Sequence, residues 1–475
     1  MTRSVSTNLR SSGVPTASSA ARPWDALLIC MAAYLLVAVA RTHALIPGVA
    51  AVRPAFLLAG LSLVLFMSHN AGARSLRHLR HPLALLMLFI VVWACLGVPF
   101  ALVKTYTARF LLDNFFRTGV LVVLLVACVR NLHDVRRLLM TLAIGGMIYS
   151  WFAAVPAVAR SGVGAGGYDP NDSAMLIVLT MPLTVYFLIQ ERRFVLKLIF
   201  GLSLVVCTIA VIRTDSRGGF LALLAVIGYI IFFFRGVKPV FRMGVVGAVA
   251  LVMVIAASGG YWERMESIND PDDYNYTSAT GRKAIWSRAR EYMVQNPITG
   301  VGANNFLAAE NRHPSIRATI ESGRGVSYKA AHSIWYQIGA ELGFPGLAVF
   351  AGIFVASLVY LRRLSRLAKE FTNSPLIQEA GGMASALIGS LLAVAVAGTF
   401  LSNGYSPMTW GVFALVLALL KVMRLHGVDV ARKGGPKNWI TAGAPALGPS
   451  PPVRQRNAAF APVGYARAAP ARRFR

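Results

Sequence analysis

Charge is what this 475-residue chain has least of. Only 14% of its residues are Asp, Glu, Lys or Arg, and 56% are hydrophobic, with a mean hydropathy of +0.59. Soluble domains carry about 25% charged residues. So little charge cannot coat the two or three soluble domains that the length would otherwise suggest, and the composition points to an integral membrane protein. Acid is scarcer still: 19 Asp and Glu stand against 47 Lys and Arg, a net charge of +28. In a soluble protein that excess would suggest nucleic-acid binding. In a membrane protein it first asks where the cations lie relative to the bilayer. Cysteine is nearly absent as well. Cys30, Cys95, Cys128 and Cys207 each lie in an apolar stretch and no CxxC occurs, which argues against a disulfide framework or a zinc site and for small buried apolar residues. The same composition excludes a disordered polyelectrolyte and a collagen-like chain.

What is present is a series of long apolar runs. A spanning helix needs about 20 mostly apolar residues. Twelve segments qualify, at about 24–40, 48–67, 82–103, 115–129, 137–159, 173–189, 194–212, 218–234, 241–258, 333–360, 384–402 and 404–422. The fourth is short, and Arg117 near its start must snorkel or face protein. Runs this long do not alternate as barrel strands would, so the expected fold class is all-α, a polytopic membrane protein with about 12 transmembrane helices and one large periplasmic loop. With the N-terminus in the cytoplasm, every inside turn holds at least three cations: Arg74, Arg77 and Arg80; Arg130, Arg136 and Arg137; Arg192, Arg193 and Lys197; Arg235, Lys238 and Arg242; Arg362, Arg363, Arg366 and Lys369. That is the positive-inside pattern. It predicts both termini in the cytoplasm and assigns most of the excess charge to orientation, so no nucleic-acid partner is expected.

The expected organisation is a disordered cytoplasmic tail over 1–23, helices one to nine over 24–258, a periplasmic loop with short helices over 259–332, helices ten to twelve over 333–422, and a disordered basic cytoplasmic tail over 423–475. The acid-free, Arg- and Ser-containing first 22 residues also resemble a transit peptide; a tail obeying the positive-inside rule is the preferred reading. The last tail could touch anionic lipid headgroups. The 259–332 loop is far longer than usual connections, and such loops are often functional. Within it, Ile285, Ala289 and Tyr292 recur at helical spacing up to Asn296-Pro297.

Several elements could carry chemistry. Arg213-Thr214-Asp215-Ser216-Arg217-Gly218-Gly219 sits at the outer end of helix seven, entering helix eight. Glycines allow close backbone approach, a helix N-terminus favours anions, and Arg recognises phosphate bidentately. A phosphate site is one reading; a tight turn with Arg213 and Arg217 paired to Asp215 is the other. The second element is Thr280 to Trp286, with Gly281 and Arg282. The third is Asn296 to Phe306, containing Gly300 and Gly302. The fourth is Ala331-His332-Ser333 followed by Glu341-Leu342-Gly343-Phe344-Pro345-Gly346-Leu347. A lone His such as His332 is usually a polar cap.

Taken together, these four elements resemble the O-antigen ligase and O-antigen polymerase superfamily of bacterial inner-membrane glycosyltransferases, whose folds are similar to the C-type membrane glycosyltransferases. Asp169-Pro170-Asn171-Asp172 also looks like that family, and the resemblance spans roughly residues 160–350. Ser333 departs from it, since Asn often follows the His in relatives. The resemblance implies an inverting, metal-independent transfer on the periplasmic face, without a cofactor, from a glycan on undecaprenyl diphosphate. The acceptor would be lipid A–core, a growing glycan or a protein hydroxyl. By family position Arg217 and Arg282 grip the diphosphate, and His332 takes the acceptor proton. The chemistry agrees, because a leaving diphosphate needs its charge stabilised and two guanidinium groups can do that. The acid-free first outer turn, Arg41 to Pro47, also agrees, since metal-dependent C-type transferases usually place an acidic pair there.

The remaining candidates keep two readings each. Asp169 and Asn171 could contact sugar hydroxyls or form a turn, with Asp172 capping helix six. Asp270, Asp272 and Asp273 could hold a cation or form a solvated turn. Arg288, Arg290 and Arg312 could widen a positive cavity or be solvated. Glu341, an intramembrane acid, could orient a residue or pair with an arginine. Trp286, Trp335 and Tyr336 could stack on sugars or sit in the interfacial belt. Residues 162–167 match GxGxxG but follow a membrane helix rather than a strand, so a flexible outer loop is the better reading. A transporter or flippase would share the twelve-helix plan, but such proteins show two similar halves, which this sequence lacks.

Overall fold

The computed structural model describes residues 23–46, 48–68, 72–155, 168–236, 239–256, 259–267, 270, 272–273, 278, 281–321 and 330–440. The 1–22 tail, the 162–167 glycine run, Thr280 and residues 441–475 lie outside the described residues. The described chain is helical, with one isolated bridge between Val428 and Ile440. In chain order the helices are α1 (Ala26–Ala38), α2 (Pro54–Ser68), α3 (Pro82–Leu96), α4 (Lys104–Phe110), α5 (Phe116–Cys128), α6 (Leu132–Ala153), α7 (Pro170–Gln190), α8 (Phe194–Arg213), α9 (Arg217–Phe232), α10 (Pro239–Ala256), α11 (Gly259–Glu266), α12 (Arg282–Gln295), α13 (Phe306–Arg312), α14 (Pro314–Glu321), α15 (Ile334–Glu370), α16 (Pro375–Gly398), α17 (Pro407–Leu425) and the short α18 (Pro436–Trp439).

Six of these spans are long and apolar enough to cross a membrane by length and composition. They are Lys104–Cys128, which joins α4 and α5 through a π segment at Leu111–Phe115, and α7, α8, α15, α16 and α17. Shorter apolar helices α1, α2 and α3 precede them in the chain, and α9 lies between α8 and α15. The protein is thus a multi-pass helical membrane protein. Burial divides the helices. α7, α16 and α17 are buried along most of their length, whereas α8 buries only a third of its apolar window. Phe56 and Met67 on α2, Phe194 and Val195 on α8, and Val240 and Met243 on α10 stay exposed, an apolar rim suited to lipid.

Small residues let the central helices meet closely. A Cβ on Gly146 would lie 2.1 Å from Thr180 Oγ1, one on Gly389 2.7 Å from Pro182, and one on Gly219 2.4 Å from Ala174 Cβ. Membrane helices lack a hydrophobic drive toward one another and gain from such approach and from interhelical hydrogen bonds. Ser390 Oγ accordingly donates to Leu179 O at 2.7 Å.

Several details differ from the sequence reading. Cys95 is exposed, while the other three cysteines are buried. Arg117 turns to its own helix, donating to Asn114 Oδ1 at 3.0 Å. The tenth segment continues to Glu370 and is broken at Gly343, whose φ of 70° is left-handed. Residues 426–440, expected within a disordered tail, fold back: Val428, Val430 and Trp439 are buried, and Arg363 donates to Val430 O at 2.8 Å. Local contacts hold the fold-back: the Arg363 guanidinium lies 5.4 Å from the Trp439 ring, and the indole N–H donates to Arg432 O at 3.2 Å.

Candidate functional site

The bundle has two polar ends. Asp169, Arg213, Arg217, His332 and the α16–α17 turn share one; Asp25, Arg74, Arg130, Arg235 and Arg424 share the other. All of the predicted site residues except Glu341, which lies two turns into α15, and Arg288, on α12, are at the first end.

Arg217 opens α9. Asp215 takes a left-handed φ of 51°, which turns the chain sharply. Ser216 then caps the helix by accepting from Gly219 N at 3.0 Å. The Ser216 hydroxyl also donates to Asn171 Oδ1 at 2.7 Å, which ties the two polar motifs together. Gly218 and Gly219 are required by contact, since a Cβ on Gly218 would lie 2.9 Å from Phe400 Cβ. Arg217 is mostly buried and pairs with Asp273 at 2.8 Å. Asp273 is therefore no part of a solvated turn, and the alternative of Arg213 and Arg217 both paired to Asp215 does not hold. Asp215 meets Arg264 at 3.4 Å, and Arg213 donates to Ala154 O.

Arg282 is the first residue of α12, and its guanidinium lies 5.8 Å from the Phe400 ring. Trp286, one turn on, stacks on Tyr336 at 5.4 Å, lies 6.4 Å from Phe400, and donates to Ala331 O at 3.1 Å. His332 is half-buried with a left-handed φ of 46°. For a residue with a side chain that conformation costs about 1–3 kcal/mol and is typical of functional sites. The His332 amide donates to Ser402 Oγ at 2.8 Å, which helps hold it.

The α16–α17 turn is therefore the hub. Phe400 touches the Gly218 backbone and the Arg282 side chain, and Ser402 holds His332. Asn403 Nδ2 donates to Asp172 Oδ1 at 2.6 Å, and Gly404 N donates to Gln337 Oε1 at 3.0 Å. Sequence reasoning missed Phe400, Ser402 and Asn403. The signal was a polar Ser402-Asn403-Gly404 run between two apolar helices, too short to read as a motif. The cap assignment also changes: Asp169, followed by Pro170 at the first helical position, caps α7 by accepting from Asp172 N at 2.7 Å.

Residues 202–351 match the family model described as O-antigen ligase. Over that stretch the chain is similar to the O-antigen ligase family. No curated protein matches the chain. The matched domain contains Arg217, Arg282, His332 and Glu341; the Asp169–Asp172 run and the 399–406 turn that joins its pieces lie outside it.

The third and fourth motifs of the matched segment form one structural unit. Glu341 is 2% exposed and accepts from Asn304 N at 2.9 Å and Phe306 N at 3.2 Å. Val301 N and Gly302 N donate to Ala340 O and Glu341 O, and Phe344 N to Pro297 O. A Cβ on Gly300 would lie 2.4 Å from Glu341 C, and one on Gly343 2.3 Å from Ile298 O. Glu341 thus docks a loop and bonds no arginine among the described residues. Arg288 is likewise internal. Its guanidinium makes a forked pair with Glu310 (Nε–Oε1 2.9 Å, Nη2–Oε2 2.5 Å), and Tyr292 adds a hydrogen bond at 2.9 Å. Burial opposes the Arg288 charge, but the Glu310 carboxylate raises its pKa above the ordinary value. Arg290 and Arg312 are exposed. Among the described residues no group of three His, Cys, Asp or Glu is placed to hold a metal ion.

Proposed function

We propose that the protein is a glycosyltransferase of the O-antigen ligase and polymerase type that moves a glycan from undecaprenyl diphosphate to an acceptor hydroxyl on lipid A–core, a glycan or a protein. The observation that carries this reading is the 399–406 turn, which brings Phe400 against both Gly218 and Arg282 and holds His332 through Ser402. Three polar groups separated in sequence thereby share one end of the bundle, inside the family-matched segment for Arg217, Arg282 and His332.

In this mechanism Arg217 and Arg282 take the diphosphate. Their fixed charges face the negative charge that develops as the anomeric carbon–oxygen bond breaks, and such pre-placed stabilisation acts without reorganisation. The acceptor oxygen attacks the anomeric carbon from the opposite side, so the configuration inverts. The lipid diphosphate leaves with the bonding pair, and the acceptor proton passes to the His332 imidazole. Two arginines supply the electrophilic assistance, so the reaction requires no metal. Trp286 stacked on Tyr336 offers an aromatic wall for a sugar face. The site faces the periplasm of a bacterial inner membrane that the chain crosses twelve times, with both termini cytoplasmic. The placement of Arg74, Arg130, Arg235 and Arg424 at the other end supports that orientation.

Reconstitution with lipid-linked glycans and candidate acceptors, with and without chelator, tests the reading. Product of inverted configuration that survives chelation is expected. Activity lost in chelator contradicts the arginine-only mechanism, and normal product from purified His332→Ala removes the base assignment.

A further inference from the structure

The other end of the bundle holds a cavity of about 710 Å³, within the 300–1,000 Å³ range of small-molecule sites. It opens between the start of α6, the end of α7, the segment after α9 and the start of α16, a bundle length away from His332. Two helices begin and two end around it, so their backbone dipoles largely offset and side chains decide what it takes.

Those side chains are Arg136, Arg235, His133, Tyr186, Gln190 and Glu379. Arg235 is fixed at the rim, where Nη2 donates to Ala368 O at 2.6 Å and Gln378 Oε1 at 2.7 Å. The Arg136 guanidinium lies 5.9 Å from the Phe187 ring. Tyr186 is 2% exposed, yet its hydroxyl has no hydrogen-bond partner among the described residues, and neither does His133 Nδ1. Leaving such a group unsatisfied costs about 1–3 kcal/mol, and native interiors do so rarely. The wall is shaped by Gly382, where a Cβ would lie 2.8 Å from the Tyr186 ring and 3.6 Å from Gln190 Nε2.

We propose that this cavity binds a hydroxyl-bearing phosphate ester of headgroup size. The phosphate sits between Arg136 and Arg235 and accepts from the Tyr186 hydroxyl. The ester's hydroxyl groups donate to Glu379 and Gln190. Two guanidinium groups against one carboxylate leave the net positive charge that such an anion requires. The site is separate from the transfer chemistry and stands whether or not that reading holds.

The full chain, in nanodiscs, tests it with phosphatidylglycerol as the lipid probe and glycerol 3-phosphate as the soluble one. Native mass spectrometry would read lipid retention against phosphatidylcholine, and thermal unfolding would read the soluble ester. Arg136→Gln should weaken binding about tenfold, as loss of one charge-assisted hydrogen bond does. Tyr186→Phe keeps the ring packing, removes the unsatisfied hydroxyl and should weaken binding severalfold at a ligand-free melting temperature no lower than that of the wild type, so a folding defect in the first variant does not obscure the result. A response to the lipid alone identifies a headgroup, and one to the soluble probe alone a cytosolic ester; each supports the site. Wild-type protein that binds neither, or both variants binding as wild type does, overturns it.

Discussion

The two ends of the bundle carry similar side chains and use them differently. At the far end the cations hold the fold. Asp25 accepts from Arg74 at 2.5 Å and Arg130 at 2.6 Å, and Arg130 also pairs with Asp134 at 2.7 Å. Lys421 is buried and donates to the carbonyls of Val126, Ala127 and Val129. A buried charge costs several kcal/mol unless hydrogen-bonded, and there it is bonded to the C-terminal end of α5. At the site end, Arg217 meets an aspartate from a loop, Arg282 lies over an aromatic ring, and His332 sits in a strained backbone conformation. The lesson is that charge count marks orientation, whereas the way the cations are partnered differs: Asp25, Asp134 and helix-end carbonyls knit several far-end cations into one network, while Arg217 meets one carboxylate from outside the helices, a partner that an anion can replace.

The largest effects should come from the site end. Arg217→Ala, Arg282→Ala and His332→Ala should each lower transfer by about 10²–10⁴-fold, with expression and thermal stability retained. Arg74→Ala at the far end should do the reverse, destabilising the protein while the folded fraction keeps its turnover. Measuring product per folded molecule breaks the comparison if both sets lose the same activity.

Glu310→Ala sharpens it inside the domain. Arg288 is a site-end arginine by sequence but a buried pair by structure. Removing its partner should cost about 3–5 kcal/mol of stability, read as a lower melting temperature. A stable variant with lost activity would instead return Arg288 to the site.

Ser402→Ala is a subtler test of the hub. It removes the acceptor of the His332 amide bond, worth about 0.5–1.5 kcal/mol, and should lower turnover by about tenfold or less while donor affinity holds. Unchanged turnover would mean that His332 keeps its conformation without the turn.

How much of this was legible in the sequence follows from range. The all-helical fold was readable because each helix is a local apolar run, and Arg217, Arg282 and His332 could be picked out as candidates because family motifs are local as well. The Phe400, Ser402 and Asn403 contacts join residues far apart in sequence, at a separation of 70 for His332 and Ser402 and 231 for Asp172 and Asn403. Nothing local to them distinguishes a hub from an ordinary turn. Glu341 kept two readings for the same reason. An acid in an apolar helix could orient a residue or pair with an arginine, and only the fold shows Gly300 and Gly302 bringing their loop onto it.

Asp273→Asn should have the smallest effect and bears most directly on the difference between the ends. If the Asp273 carboxylate holds the place of an anion on Arg217, a diphosphate must displace it. The variant then keeps a hydrogen-bond acceptor but loses the charge that competes. Arg217 and Asp273 are 18% and 10% exposed, so losing the carboxylate removes a competitor but also leaves the guanidinium less compensated; the two effects oppose, and donor affinity should rise by about fivefold at most, with turnover nearly unchanged. The gain should shrink in high salt, which screens the Arg217–Asp273 attraction of the wild type. Weaker donor binding in Asp273→Asn would show the opposite: Asp273 orients Arg217 as Asp25 orients Arg74, and the site-end arginine would be held in place just like its far-end counterparts.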